Sequence, residues 1–86
     1  MNKDSKSWSV YIVCCSDGTL YTGIAKDLKK RIAEHNSERG GSKYTKSRRP
    51  VKLVYSEQVD SRSAAAKLEY QFKKMPLAKK KIMIAE

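Results

Sequence analysis

The sequence is poor in cysteine and in long apolar runs, and both shortages exclude classes of protein. Its two cysteines, Cys14 and Cys15, are adjacent, which fits neither a disulfide framework nor a metal-ligand spacing. In a strand their side chains would point to opposite faces, so we expect two reduced packing residues. No apolar run approaches membrane length, and the first eight residues, MNKDSKSW, lack a signal-peptide core. We therefore expect a soluble, cytoplasmic protein without membrane partners.

Acidic residues are also scarce. Nine Asp and Glu accompany 19 Lys and Arg among 86 residues, which gives a formal net charge of +10. Such an excess attracts polyanions through counterion release and long-range steering. The cations cluster in Arg39–Arg49 and Lys73–Lys81, which favours a nucleic-acid partner over charge that serves solubility alone. An anionic membrane surface is less favoured, because no helix convincingly pairs a bulky apolar face with a basic one.

Two β-rich runs, Val10–Cys15 and Leu20–Ile24, flank a turn and predict a hairpin. A two-residue Asp-Gly turn would pair Cys14 with Tyr21 and put the two hairpin tyrosines on opposite faces. A three-residue loop, with Gly18 left-handed, would instead pair Cys15 with Thr19 and bring the tyrosines onto one face. We prefer the second register because its other face is almost wholly apolar. The glycines with structural roles are Gly18 and Gly23.

The remaining pattern predicts one further strand and three helices around a single core, since a chain this short has room for one small domain. Asp27 is a good N-cap, and Ser37–Pro50 is rich in Gly, Ser and cations, as exposed loops are. The predicted elements are a helix over 28–36, a strand over 51–59, a helix from Ser61 to Lys74, and a helix from Pro76 to Ile84. The order ββαβαα is typical of an α+β domain, with residues 1–7 as a flexible N-terminus and 8–84 as the domain.

Glu69 interrupts the apolar face of the second predicted helix, between Ala65, Leu68 and Phe72. An inward carboxylate costs several kcal/mol unless it is paired or bound to a cation. Two interpretations remain open: a metal ligand at the edge of the core, or a salt bridge with a neighbouring Arg or Lys. A single carboxylate suits Mg²⁺, which keeps most of its waters and takes substrate phosphate as a further ligand.

Four other residues could carry proton transfer and phosphate chemistry. Tyr11 or Tyr21 could act as a base only if a nearby cation lowered the phenol pKa from its usual value of about 10. Arg31 or Lys26 could supply that cation. Arg31 also suits a phosphate, and His35, one turn later on the same arc, suits proton transfer near neutral pH. The alternatives are sheet-face aromatics, a surface ion pair and a structural histidine at a helix end.

The segment Arg39–Pro50 interleaves five cations with one aromatic residue and small hydroxyls. Such a composition suits contacts to backbone phosphates, with Tyr44 available to stack on a base, although a solvated loop is the alternative. The residues expected to bind nucleic acid are Lys26, Lys43, Tyr44, Lys46, Arg48 and Arg49.

Several motifs, taken together, resemble the GIY-YIG endonuclease superfamily. They are Ser9-Val10-Tyr11, Tyr21-Thr22-Gly23, Arg31 followed by His35, and Glu69. The stretches LYTGIAKDLKKRIAEHN, KYTKSRRPVKLVY and AAAKLEYQFKK resemble its small, single-domain members, and the likeness covers about residues 8 to 84. The first tripeptide lacks the family's glycine, but both tripeptides keep the tyrosine.

This resemblance implies a central three-stranded antiparallel sheet flanked by helices, and hydrolysis of DNA phosphodiesters with one divalent metal, Mg²⁺ or Mn²⁺. Tyr11 or Tyr21, with Tyr11 preferred, would help to activate the water, and Arg31 would stabilise charge on the phosphate. The other implied roles are proton transfer by His35, metal binding by Glu69, and secondary phosphate or orientation contacts by Lys26 and Lys43.

Three functions follow as hypotheses. The first is a metal-dependent endonuclease acting on DNA, structured or damaged DNA included, with DNA favoured over RNA. The second is a non-catalytic nucleic-acid-binding module that uses the same basic surface. The third and weakest is an adaptor for an acidic protein. Nucleases of this superfamily generally gain target choice from appended domains, so targeting through a protein partner is a further hypothesis.

Overall fold

The computed structural model describes residues 7–37 and 43–85. The expected flexible N-terminus lies outside the described residues except for Ser7. The strands and helices, in chain order, are β1 Trp8–Cys14, β2 Leu20–Ala25, α1 Leu28–His35, α2 Lys43–Lys46, β3 Lys52–Val59, α3 Arg62–Lys74 and α4 Leu77–Ala85. The strands form one antiparallel sheet in the order β2-β1-β3. The predicted α+β fold with a three-stranded antiparallel sheet is confirmed.

The β1–β2 hairpin has the register that the three-residue loop predicts. The Cys15 amide donates to the Thr19 carbonyl at 2.8 Å, and Gly18 has a φ of +86°, in the left-handed region that glycine adopts without strain. Tyr11 therefore pairs with Gly23, two positions along the ladder from the Val13–Tyr21 pair. Both tyrosines consequently lie on one face of the sheet.

The helix starts agree with the sequence because their capping residues are good ones. The Asp27 carboxylate accepts from the Lys30 amide at 3.1 Å, and the Ser61 hydroxyl accepts from the Ala64 amide at 3.0 Å. Pro76 directly precedes α4, and its carbonyl accepts from the Lys80 amide. Within the described ranges, no helix combines the length and the apolar character needed to cross a membrane.

The sheet divides the core into two clusters, so the prediction of a single core is wrong. Successive side chains of β1, the central strand, alternate between the two faces. Tyr11, Val13 and Cys15 pack on one face, where α1 partly covers them. Val10 and Ile12 pack on the other face, against α3. Helices on both sides of one short sheet thus bury all of the central strand from Ser9 to Val13.

The prediction of a continuous exposed loop over Ser37–Pro50 is also wrong. Residues 38–42 lie outside the described residues, but Lys43–Lys46 forms the four-residue helix α2, and Thr45 is fully buried. The order of elements is therefore ββααβαα. The Asn36 side chain fixes the far end of this segment, because its amide donates to the Val51 carbonyl at 3.1 Å and accepts from the Val51 amide at 2.6 Å.

Candidate active site

Tyr11 lies at the centre of the site, on the face of β1 that α1 covers. Its residue surface is 1% exposed, and its ring crosses the backbone of its strand partner Gly23. A Cβ at position 23 would lie 2.5 Å from the Tyr11 hydroxyl and 2.7 Å from Cζ, closer than real contacts allow. Gly23 is therefore needed for space, which gives a physical reason for the glycine in the Tyr21-Thr22-Gly23 motif.

A buried chain of hydrogen bonds runs from Tyr11 into the protein. The Tyr11 hydroxyl lies 2.7 Å from Nε2 of His35, and Nδ1 of His35 lies 2.9 Å from Oγ1 of Thr45. His35 and Thr45 are both 0% exposed. Either neutral tautomer of the imidazole satisfies both ring nitrogens in this chain. The last residue of α1 is thus joined to the sheet on one side and to α2 on the other.

The charge state of His35 follows from its surroundings. Burial is the main cause that lowers its pKa below the ordinary value of 6.5, the nearby Arg31 cation lowers the pKa further, and Glu34 opposes them. The imidazole is consequently neutral at pH 7. A neutral imidazole can accept a proton, whereas an imidazolium cannot.

Tyr21 packs on the same imidazole. Its ring centroid is 5.5 Å from that of His35 at an interplanar angle of 68°, and the Tyr11 ring lies at 5.7 Å and 66°. Both tyrosines thus meet the imidazole edge to face, a favourable geometry for aromatic rings. Tyr21 is half-buried, whereas Tyr11 is fully buried, so Tyr21 is the more accessible of the two.

Arg31 brings a cation to the rim of this cluster. It donates to Oε1 of Glu34 at 2.9 Å and interacts with the Tyr11 oxygen, while its side chain keeps 32% exposure. A tyrosine base would need such a cation to lower its pKa, and Arg31 does act in that direction. Burial outweighs it, however, and with the nearby Tyr21 and Glu69 leaves the pKa of Tyr11 above 10.0. Tyr11 is therefore a neutral phenol at pH 7.

Glu69 extends from α3 and is half-buried, as its position on the helix predicts. Its Oε2 lies 3.3 Å from Nζ of Lys73, so the salt bridge with a neighbouring lysine is present. Its negative charge also contributes to the raised pKa of Tyr11, so the carboxylate acts on the same site. Lys73 keeps 54% side-chain exposure. Because an ion pair to so exposed a lysine contributes little to stability, Lys73 can give way to another cation.

The residues around Glu69 fit one mode of metal binding. Across the two described ranges, no group of three His, Cys, Asp or Glu side chains could hold an ion. A cage built from protein ligands is thus not formed by these residues. Mg²⁺ often binds instead through one or two carboxylates, several waters and a substrate phosphate. The single carboxylate of Glu69 is compatible with that mode.

The predicted nucleic-acid-binding residues differ in their exposure and in their neighbours. Lys26 and Lys46 are exposed, and Nζ of Lys26 lies 5.9 Å from the centroid of the Trp8 ring. Lys26 also lines a shallow polar depression together with Lys30 and Arg31. The predicted contacts of Lys43 and Tyr44 lie outside the side chains that the structure describes. Lys26 is thus the predicted phosphate contact that lies beside Arg31.

Arg48 and Arg49 have internal partners. Nε of Arg48 lies 3.0 Å from Oδ2 of Asp17 in the hairpin loop, and its carbonyl accepts from the Ser16 amide at 2.9 Å. Arg49 donates to the Ser37 carbonyl. These contacts hold the segment after α2 against the hairpin and the end of α1. Phosphate binding by the two arginines stays a prediction, and it would have to compete with these contacts.

Thr45 is the site residue that the sequence does not reveal. It lies in a polar, lysine-rich stretch, so hydrophobic periodicity gives no sign that it is buried. Its burial follows from a tertiary contact, the hydrogen bond to His35. One signal was present: Thr45 falls within KYTKSRRPVKLVY, a stretch that resembles the small members of the superfamily.

Comparison with known proteins gives matches in sequence and in structure. Residues 7–81 match the model of the GIY-YIG catalytic domain. A UPF0213 protein of Desulfotalea psychrophila is 51% identical over 81 residues, which cover 94% of this chain and 74% of that protein. A UPF0213 protein of Syntrophus aciditrophicus is 57% identical over 77 residues, covering 90% and 88%.

A solved structure extends the likeness to three dimensions. The solution NMR structure of a UPF0213 protein from Bacillus halodurans matches with a TM-score of 0.58 at 37% identity, over 91% of this chain and 82% of that one. The family match spans most of the chain and includes every catalytic and metal-binding residue predicted from the sequence. The chain therefore belongs to the GIY-YIG family, in which its relatives are UPF0213 proteins.

Proposed function

We propose that this chain is a metal-dependent endonuclease that hydrolyses phosphodiester bonds in DNA, structured or damaged DNA included. One observation carries the proposal: a buried Tyr11–His35–Thr45 hydrogen-bond chain ends beside the Arg31 cation and within electrostatic range of the Glu69 carboxylate. A module that only binds nucleic acid has no need of a neutral, oriented imidazole joined to a phenol. A nuclease needs both a proton acceptor and a cation for the phosphate.

The proton acceptor in this proposal is Nε2 of His35. In the tautomer that protonates Nδ1, that N–H donates to Thr45 and Nε2 accepts from Tyr11. As water attacks phosphorus, its proton passes to the Tyr11 oxygen while the Tyr11 proton passes to Nε2. The tyrosine ends neutral and the histidine ends as an imidazolium. Because the pKa of Tyr11 is raised, this relay is favoured over a phenolate base.

Tyr21 is the competing proton acceptor, since it is the more accessible phenol. A relay through Tyr11 requires substrate binding to open a path to its hydroxyl. Arg31 lies at the rim and would contact the phosphate and stabilise charge in the transition state. Glu69 would hold the divalent ion, which when bound polarises the phosphate and stabilises the leaving oxygen.

A cleavage panel tests this function. Labelled single-stranded, duplex, flap and branched DNA, with matched RNA, would be incubated with Mg²⁺ or Mn²⁺. Glu69→Gln removes the carboxylate charge, and we expect it to abolish cleavage while DNA binding persists. The matched control is Glu57→Gln on β3, an exposed glutamate that accepts from the Tyr55 hydroxyl. Equal cleavage by wild type and Glu69→Gln would contradict the site assignment.

The second candidate, a non-catalytic nucleic-acid-binding module, is favoured by two observations. Tyr11 is 1% exposed, and the Glu69 carboxylate is already paired with Lys73. This function predicts salt-sensitive binding to DNA without product under any metal condition. Binding to every substrate of the panel with no cleavage would establish it in place of the nuclease.

A further inference from the structure

A groove lies along the junction of α3 and α4. Its lining includes Lys67, Tyr70, Lys74, Met75, Pro76 and Lys79, and these residues define the α3–α4 groove. A second depression adjoins it, because Met75 and Lys79 line both, and extends it to Ile82 and Met83. Apolar side chains and the Tyr70 ring thus line the groove together with lysines.

Tyr70 is the unusual residue of this groove. It is 63% exposed, so much of its ring is open to solvent. Nζ of Lys74 lies 5.1 Å from its ring centroid, which brings a cation to the ring. An exposed aromatic ring with lysines alongside is the combination that proteins use to bind single-stranded nucleic acid, where bases stack and phosphates meet cations.

We propose that the α3–α4 groove binds an unpaired segment of DNA. One base stacks on Tyr70, and Lys67, Lys74 and Lys79 contact the adjoining phosphates. The choice of DNA rests on the proposed function. The groove deepens that function by naming a substrate class, DNA with a single-stranded segment next to the bond that is cut.

The charges on the groove decide against a second copy of the chain as its occupant. Its lining contains lysines and no acidic residue, and the whole chain carries a formal net charge of +10. Two copies docked through this face would bring the same lysines together, and like charges at an interface are strongly unfavourable. A polyanion with flat bases satisfies both the lysines and the aromatic ring.

The groove is adjacent to the candidate active site along the helix. Tyr70 follows Glu69 directly in α3, so the two side chains leave the helix axis about 100° apart. A strand that stacks on Tyr70 is therefore held at the neighbouring face of the helix that carries the metal-binding carboxylate. This placement favours substrates in which a single strand continues from the cleaved bond, such as flaps.

Binding is measured without metal, in EDTA, so that cleavage cannot contribute. The probes are a fluorescein-labelled oligothymidylate of about 12 nucleotides and a duplex of equal length, followed by fluorescence anisotropy. Tyr70→Ala should weaken binding of the single strand roughly 5- to 150-fold, the loss expected for one stacked base, and leave duplex binding unchanged. Tyr70→Phe keeps the ring and should bind like wild type.

A phosphate contact has a separate signature. Lys67→Gln should reduce the slope of log K against log salt for the single strand by about 0.7, the value for one neutralised phosphate. An exposed control lysine away from the groove, Lys52 on β3, should change this slope less. Equal slopes for wild type and Lys67→Gln would overturn the phosphate contact.

The other outcomes are equally decisive. Unchanged single-strand binding by Tyr70→Ala overturns the groove site. If oligouridylate binds more tightly than oligothymidylate, and this binding depends on Tyr70, the assignment to DNA is overturned. If light scattering shows a dimer that Tyr70→Ala dissociates, the occupant of the groove is a second copy of the chain and not DNA. If the cleavage panel shows no product but binding depends on Tyr70, the nuclease fails and the groove stands.

Discussion

The pairing of Tyr11 with His35 makes a prediction about the pH dependence of cleavage. A base must be unprotonated to act, and the pKa of His35 is held below 6.5 by burial and by Arg31. Cleavage through His35 should therefore be constant near neutral pH and fall on the acid side, below pH 6.5. A phenolate base would behave differently, because its activity would rise towards pH ~10 and beyond. The measurement is kcat/KM for one DNA substrate across this range.

Variants of the two tyrosines identify which one takes part. Tyr11→Phe leaves Nε2 of His35 without its phenol, and we expect a loss of about 10²- to 10⁴-fold in kcat, as is typical when a proton-transfer group is removed. Tyr21→Phe keeps the hydrogen-bond chain and should cost less. The reverse ranking of the two losses would transfer the role of proton acceptor to Tyr21.

Gly23 makes a third prediction at the residue scale. Gly23→Ala introduces a Cβ 2.5 Å from the Tyr11 hydroxyl, so the ring must move and its hydrogen bond to His35 must lengthen. We expect a loss of stability of about 1–3 kcal/mol from overpacking and a loss of cleavage of about 10²-fold from the misplaced phenol. Urea denaturation and the cleavage assay measure the two effects.

Gly18→Ala is the matched control. Gly18 has a φ of +86° and no atom within 4 Å of the added Cβ, so its cost is backbone strain alone, about 1–2 kcal/mol. Stability should fall while cleavage per folded molecule stays unchanged. Full cleavage by Gly23→Ala would show that the position of the Tyr11 hydroxyl does not matter for the reaction.

At the scale of elements, the sequence predicts well what short-range chemistry decides. The hairpin register follows from one glycine in a three-residue loop, and the starts of α1 and α3 follow from Asp27 and Ser61. It does not predict α2, because four residues are too few to show a helical period. Thr45 is buried by its contact with His35, and a contact between residues ten apart leaves no local pattern.

Asn36 makes a prediction about how these elements are joined. Its side chain forms two hydrogen bonds with the backbone of Val51, and it directly follows His35 at the end of α1. Asn36→Ala removes both bonds and should lower the free energy of unfolding by about 1–3 kcal/mol. Asn36→Asp keeps the acceptor for the Val51 amide and should cost less. Equal losses in urea denaturation would mean that the bond of 2.6 Å contributes nothing to stability.

At the scale of the whole molecule, the family and the fold were accessible from sequence, but the environment of the site was not. The spacing of Tyr11, Tyr21, Arg31 and His35 indicates a shared face, and the structure brings these four residues together. The resemblance implies helices that flank the sheet, but the sequence could not show that their packing buries Tyr11 completely. Burial raises the pKa of Tyr11 and outweighs the Arg31 cation, which acts in the lowering direction that a tyrosine base would need.

Burial of a neutral histidine also couples the stability of the whole fold to pH. The pKa of His35 is lowered from 6.5 in the folded state, so between the folded and unfolded pKa values the unfolded chain binds more protons. The stabilisation from the neutral imidazole is thus fully present above pH 6.5 and is lost as pH falls through the folded pKa. We expect the urea midpoint to decrease from pH ~7 to pH ~5, before most carboxylates titrate.

His35→Gln separates this effect from general acid destabilisation. Glutamine cannot titrate, so the variant should be less stable than wild type near pH 7 but show a flatter profile between pH ~7 and pH ~5. The two curves should therefore converge on the acid side. Parallel curves would mean that His35 binds protons equally in both states, which contradicts the neutral buried imidazole on which the proton relay from Tyr11 depends.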